Sequence, residues 1–423
     1  MTRHAALAAR YGTPLYVYDL DEVALARHEL FTALPDGAEL FYAFKANPHP
    51  ELARALREGG ERGCRAEISS TGELAAALTA GYRAEECLYT GPGKTIGELH
   101  EAIGRGVRVF STDSVTDVRR VGAVAAAHGV VADCLLRINS ADASATTSIR
   151  MTGTPSQFGF DSETLAEAMP SLRRADGVRL AGMHLFPLSN ARDEDALIGE
   201  FEHTIELAAR LSAALELPLR LLDIGGGFTA PYGVPGRRGS YPNLRDRLET
   251  ALDRHLPGWR SGAPRIAFES GRFLVGAAGT LVTEVSNVKI SRGRRYVIVD
   301  AGINTFGGMS GLGRLMPVAV ALELEPDGPT ERGTLVGPLC TPGDLLGREI
   351  ALPADLEPGD LVEIPNTGAY GVTASLLMFL GRPAPLEVLL RSGEVVSASR
   401  IEHHRSHQPV PYARTVVEAG ALG

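Results

Sequence analysis

Lysine is nearly absent from this chain of 423 residues. Of its 42 basic side chains only Lys45, Lys94 and Lys289 are lysines, which leaves 39 arginines. Chemistry that needs a side-chain primary amine therefore has three candidates, because a guanidinium stays protonated and forms no Schiff base. Cysteine is scarce as well. Cys64, Cys87, Cys134 and Cys340 include no CxxC pair, which excludes a zinc ribbon and a thioredoxin-like dithiol and suggests reduced thiols. There is no uninterrupted apolar run of about 18 residues, so no spanning helix is expected. The N-terminus lacks the apolar stretch of a signal peptide, and the expected location is the cytoplasm. Positive charge is not in excess: acids number 51, the net charge is −9, and such a surface argues against a nucleic-acid or anionic-membrane partner.

What is present is a full apolar complement, 44% of residues, and a length of about two to three domains. Short β-rich runs occur at Leu40–Phe44, Cys64–Ile68, Cys87–Thr90, Val107–Phe110, Cys134–Ile138, Val178–Leu185, Leu219–Ile224 and Arg265–Phe268. Between most of them lie stretches with helical spacing, such as Pro50–Glu58, where Leu52, Ala55 and Leu56 share a face. Eight strand-helix units are the count of a (β/α)8 TIM barrel in the α/β class; an open doubly wound sheet is the alternative on pattern alone. After about residue 275 strand-like runs dominate, at Thr280–Val285, Tyr296–Asp300, Val318–Leu324, Leu361–Ile364, Leu386–Leu390 and Glu394–Ser397. That texture predicts a C-terminal all-β domain. The expected division is a barrel over residues 20–275 and a β-sandwich-like domain from residues 1–19 plus 276–423. The Leu15–Leu20 run suits either part on its own. Residues 140–156 and 232–241 read as loops.

Several motifs fall at predicted strand ends, where barrel active sites lie. Lys45 follows a run of large residues and precedes Asn47-Pro48. Desolvation there would depress its pKa and suit Schiff-base chemistry. Lys94 sits in a loop-like Gly-Pro-Gly-Lys-Thr, and Leu88 stands where a nucleotide P-loop needs glycine. His184 ends the sixth run, as a packed core residue or a site residue. Gly225, Gly226 and Gly227 follow the seventh, where backbone amides can approach an anion. Glu269, Gly271 and Arg272 end the eighth, able to bind a protonated ring nitrogen and a phosphate or carboxylate. Cys340 lies on a predicted Thr341-Pro342-Gly343 turn beside Asp344, as a possible proton donor. His403, His404 and His407 lack zinc-site spacing and read as a solvated tail.

In this order, these motifs resemble the fold-type III pyridoxal-phosphate decarboxylases, the group of diaminopimelate, ornithine and arginine decarboxylases related in fold to alanine racemase. The resemblance spans about residues 12–390. It implies pyridoxal 5'-phosphate carried by Lys45, with His184 stacked on its ring. Glu269 would hold the ring nitrogen protonated. Gly225, Gly226, Gly227, Gly271, Arg272 and Tyr370 would surround the phosphate or the substrate carboxylate, with Arg314 also on the substrate. It implies a head-to-tail homodimer in which Cys340, Thr341 and Asp344 come from the second subunit, Cys340 returning a proton once CO2 has left. Departures bear on the substrate. Thr341 stands where diaminopimelate enzymes carry Glu and ornithine enzymes Asp. Arg314 lacks the tyrosine that follows it in the diaminopimelate pattern. The usual His-x-Gly-Ser is here spread over His184 to Ser189-Asn190, and Lys-Phe-Gly is Gln157-Phe158-Gly159. Without an acid at position 341 a distal amine loses its counter-charge. The reading is α-decarboxylation of an amino acid or a conjugate of one, on a carrier protein or a natural-product precursor. Diaminopimelate decarboxylation proper, racemisation and cofactor binding without catalysis are the alternatives.

Overall fold

The computed structural model describes residues 2–58, 62–141, 149–150, 155–307, 319–324 and 328–407. Eight parallel strands close a barrel: Glu39–Ala43, Arg65–Ile68, Cys87–Tyr89, Val109–Thr112, Ala132–Asn139, Val178–Leu185, Leu221–Asp223 and Arg265–Ser270. Each pairs with the next, and the eighth returns to the first with Ala267 opposite Glu39 and Ser270 opposite Tyr42. Every one coincides with a run predicted above. Helices such as Pro50–Glu58, Ile96–Arg105 and Glu194–Ala214 cover the outside. The last two start on side-chain caps: Thr95 and Glu98 form a reciprocal capping box, and Asp193 accepts from the Ala196 N–H, each satisfying backbone donors the helix cannot.

The two-residue period of a strand sorts the barrel interior into layers. Phe41, Leu88, Leu135, Ala181, Leu221 and Ala267 form one apolar cluster, with Val109 packed against it. Two residues further along the same strands stand Ala43, Thr90, Arg137, Asp223, Glu269 and Ser111. A barrel floor of hydrocarbon thus carries a polar layer on its C-terminal side. The sixth strand joins that layer through a bulge: its pairing slips by one residue after Leu180, which sets Gly182 beside both Leu135 and Leu221 and His184 beside Arg137 and Asp223.

Among the described residues the second sheet holds eight strands, including Gly279–Ser291, Arg294–Val299, Leu361–Ile364, Leu386–Arg391 and Glu394–Arg400. Leu15–Asp19 lies in this sheet, antiparallel to Gly279–Ser291 and parallel to Leu386–Arg391. Thr330–Val336 and Leu345–Pro353 are strands that the sequence pattern did not single out. The first leads with exposed Thr-Glu-Arg, and the second is interrupted by Gly347 and by Glu349 at φ +51°. Of the predicted strand Val318–Leu324, residues 319–324 are described and are not in a strand.

The two parts meet behind Lys45. Asn47 Nδ2 donates to the Gly368 carbonyl at 2.9 Å, and the Tyr370 N–H donates to the Ala46 carbonyl at 2.7 Å. Glu387 is buried here with the Tyr18 hydroxyl donating to it at 3.0 Å, and burial pushes its carboxyl up to about 7. The folded state therefore binds the proton more tightly than the unfolded chain, and this group costs stability as pH rises from about 4.5 to about 7. Glu387→Gln keeps an oxygen for Tyr18 and removes that cost. Denaturant unfolding at mildly alkaline pH should show the variant more stable than wild type by about 1–3 kcal/mol, with the difference vanishing near pH ~5. A difference independent of pH would refute this.

Candidate active site

Lys45 follows the first strand, two residues beyond inward-facing Ala43, and opens into a pocket at the C-terminal mouth of the barrel. Phe186, Ser189, Asn190, Gly226, Gly227, Glu269, Gly271, Arg272 and Tyr370 share that pocket with it. Its Nζ lies 3.5 Å from Glu67 Oε2 and 5.3 Å from the centre of the Phe186 ring. Glu67, on the second strand beside Ala43, is buried and takes a short hydrogen bond from Thr90 Oγ1. The expected depression of the lysine pKa is not found. Burial works to lower it, but the Glu67 and Glu269 carboxylates outweigh burial and raise it. Lys45 rests as an ammonium paired with the Glu67 carboxylate.

His184 does not lie where the resemblance placed it. It is fully buried beneath the pocket, with Ser111 Oγ 2.7 Å from Nδ1 and Glu269 Oε1 3.3 Å from Nε2. Burial, reinforced by Arg137 and Lys45, lowers its pKa well below the ordinary value, so it stays neutral and braces Glu269. The ring that faces the pocket is Phe186, two residues on along the same inward row. The segment that follows brings Ser189 and Asn190 to the same pocket, Asn190 at φ +58° with its buried Oδ1 without a hydrogen-bond partner among the described residues. Sequence reasoning missed Phe186 and Glu67. The inward parity of residues 41, 43 and 45 and its register with Glu67 were the available signals, while the bulge at residue 181 hid the parity of the sixth strand.

The glycines divide. Gly226, Gly227 and Gly271 line the pocket, whereas Gly225 lies beneath it, where a Cβ would come within 2.6 Å of the Leu185 carbonyl oxygen. At Gly226 a Cβ would come within 2.5 Å of the Glu269 carbonyl oxygen, so this loop packs against the eighth strand only because it lacks side chains. Arg272 stands 5.4 Å from the centres of the Tyr232 and Tyr370 rings. Tyr370 holds φ +52°, its carbonyl accepting from Tyr232 Oη at 2.9 Å; a bulky residue in that region is held there by its surroundings.

Cys340 is exposed on the predicted turn, where the Asp344 N–H donates to the Thr341 carbonyl, and it does not line the Lys45 pocket of its own chain. Asp344 is placed differently from its expected substrate-binding position. It is buried, and its two oxygens accept the Ile303 and Leu339 N–H groups at 2.8 and 2.7 Å. Its carboxylate shapes the loop that presents Cys340. Arg314 lies outside the described residues. Lys94 is not on a surface loop: it is buried, 2.8 Å from Asp117 and 3.9 Å from Asp113. Asp113 in turn accepts the Gly159 N–H at 2.8 Å, and Arg137 lies 4.5 Å from the Phe158 ring centre. Lys289 is exposed on a strand of the second sheet.

A barrel mouth with one accessible amine, an aromatic wall, a buried acid opposite and a glycine, serine and arginine rim suits a phosphorylated pyridine aldehyde. The buried oxygens of Asn190 and Ser270 that find no hydrogen-bond partner among the described residues fit that assignment, since unpaired polar groups at such a site await a ligand. These features define a pyridoxal-phosphate enzyme of the barrel type. The chain belongs to the pyridoxal-dependent decarboxylases, whose pyridoxal-binding domain matches residues 20–276. It is 32% identical over 398 residues to the L-glutamyl-[BtrI acyl-carrier protein] decarboxylase of Niallia circulans, covering 92% of this chain and 91% of that one. It is 30% identical over 393 residues to the diaminopimelate decarboxylase of Methanothermobacter thermautotrophicus, covering 92% and 89%. The crystal structure of Helicobacter pylori diaminopimelate decarboxylase complexed with L-lysine superposes with a TM-score of 0.78 at 26% identity, over 93% and 95% of the two chains. Pyridoxal phosphate is its cofactor, and decarboxylation of an amino acid or amino-acid conjugate is its reaction.

The Phe186 ring bears on cofactor affinity. Phe186→Ala should weaken pyridoxal phosphate binding about tenfold through lost ring contact, measured by equilibrium dialysis on the reconstituted protein. Unchanged affinity would remove Phe186 from the site.

Proposed function

We propose that this enzyme removes the α-carboxyl group of an amino acid presented as a conjugate, on a carrier protein or a biosynthetic precursor, in preference to a free diamino acid. Thr341 carries this reading: the position that supplies an acid in the diamino-acid enzymes is here neutral, and a distal ammonium would lie unpaired at a cost of about 1–3 kcal/mol. The relative named for a glutamyl-carrier substrate supports it. Lys45 would bind the cofactor covalently, and Glu67 holds its side chain beside the pocket. Phe186 packs against the ring, and Glu269 faces the ring nitrogen, held by neutral His184. Gly226, Gly227, Gly271, Ser189, Arg272 and Tyr370 receive the phosphate, with Arg272 also within reach of a substrate carboxylate. Bound pyridoxal phosphate supplies the electron sink for the carbon that loses CO2.

Cys340 and Thr341 act from a second copy in a homodimer. Exposed Leu376, Met378, Phe379 and Leu380 adjoin the Cys340 loop, where Arg382 donates to the Pro338 carbonyl at 3.3 Å. An apolar patch of that kind suits an interface. We place the enzyme in the cytoplasm, in two parts divided near residues 20 and 275; among the described residues no helix is long and apolar enough to cross a membrane. The test is a mass-spectrometric screen for CO2 loss across free diamino acids, free acidic amino acids and carrier-bound aminoacyl thioesters. Carrier-bound substrates should show the highest kcat/KM. A higher value for free diaminopimelate, ornithine or lysine would overturn the assignment.

A further inference from the structure

Two buried carboxyl groups meet behind the pocket with nothing between them to hold them together. Asp223 ends the seventh strand and is fully buried. Its Oδ1 accepts the Gly225 N–H at 2.9 Å, and its Oδ2 has no hydrogen-bond partner among the described residues. Glu269, two residues beyond the point where the eighth strand pairs with Asp223, turns an equally unpartnered Oε1 into the same space. His184, Asp223 and Glu269 bring one ligand atom each within 4.8 Å of one another, all buried. Serine occupies the far side of the imidazole, with Ser111 Oγ 2.7 Å from Nδ1; in the tautomer that accepts from Ser111, Nε2–H faces Glu269 Oε1 at 3.3 Å.

Two anions so close in a dry interior cannot both persist, because their repulsion adds to the cost of burying each. The other charged groups facing this space are Glu67 from the second strand, Lys45 from the first and Arg137 from the fifth. Burial, then Glu67 and Asp223, raise the Glu269 carboxyl against the opposing pull of Lys45 and Arg137. Burial also raises the Asp223 carboxyl above its ordinary range.

We propose that Asp223 and Glu269 share one proton, and that Asp223 carries it when Glu269 engages the cofactor's ring nitrogen. Asp223 is thus a positioning residue. Its O–H donates to the Glu269 carboxylate from behind while His184 Nε2–H donates from the side. Glu269 is thereby kept anionic and aimed at the ring, with a single negative charge between the two acids. This rests on the placement of Glu269 opposite the ring nitrogen given above.

Asparagine imitates the protonated acid: its Oδ1 can accept the Gly225 N–H and its Nδ2 can donate to Glu269. In the reconstituted holoenzyme at neutral pH, the infrared difference between wild type and Asp223→Asn should contain the carbonyl stretch of a buried carboxylic acid. Dialysis should find pyridoxal phosphate affinity in Asp223→Asn within about threefold of wild type, and in Asp223→Ala reduced about tenfold or more. A purely structural aspartate would give no acid band and would tolerate neither change. Absence of the band in wild type overturns the shared proton, as does an Asn variant as weak as the Ala variant. A stoichiometric metal ion held by the three residues in the purified holoenzyme overturns it too. Glu269→Gln separates the two readings. If it leaves cofactor affinity and absorbance unchanged, the Glu269 placement falls and the proposal with it; if it alters both while wild type lacks the band, only the shared proton falls.

Discussion

Lys45→Ala is expected to lose decarboxylation by about 10³-fold or more and to release a cofactor that borohydride can no longer fix to the protein. Lys45→Arg should lose as much. It retains a cation beside Glu67, 3.5 Å from Nζ in the native chain, so it tests the amine rather than the charge. The scarcity of lysine makes the assignment unusually direct. Lys94 is locked against Asp117 at 2.8 Å in a buried ion pair, and Lys289 lies exposed on a strand of the second sheet. Reduction of the wild-type holoenzyme followed by proteolysis should therefore label one peptide, the one containing Phe44-Lys45-Ala46. A label on either other lysine, or full activity in Lys45→Arg, would show that the pocket has been misread.

Cys340→Ala should lower the decarboxylation rate about 10²–10⁴-fold, the range for loss of a positioned proton donor, with cofactor binding and its absorbance intact. The thiol lies outside its own chain's Lys45 pocket, and the proposed function has it act from a second copy. Mixing Cys340→Ala with Lys45→Ala protein should then restore activity that neither parent has. Half of randomly paired dimers are hybrids, and each hybrid carries one site with both native residues, so recovery should approach about a quarter of wild type. Hybrids verified by native mass spectrometry that remain inactive would refute the shared site.

Much of this was legible along the chain. The eight barrel strands show in the sequence because each is a short apolar run bounded by turns and followed by helical spacing. Lys45 stands out because so few lysines exist, and Glu269 through Arg272 because acid, glycine and arginine crowd one strand end. The second sheet was less legible. Its strands Thr330–Val336 and Leu345–Pro353 are half exposed and carry glycine or charge, so they lack a pattern of alternation, and Leu15–Asp19 joins that sheet by pairing with residues more than 250 positions away.

The amino-acid sequence by itself determined the barrel, the amine and the acid, since each depends on local composition and on the two-residue period of a strand. Tertiary structure decided which ring faces the pocket. A one-residue slip on the sixth strand sets His184 in the polar layer beneath the pocket, beside Glu269, and brings Phe186 to the pocket side. It also decided that Asp344 serves its own loop and that Asp223 meets Glu269. Those roles depend on which strands lie side by side and on the absence of water between them, and neither is written in the spacing of residues along the chain.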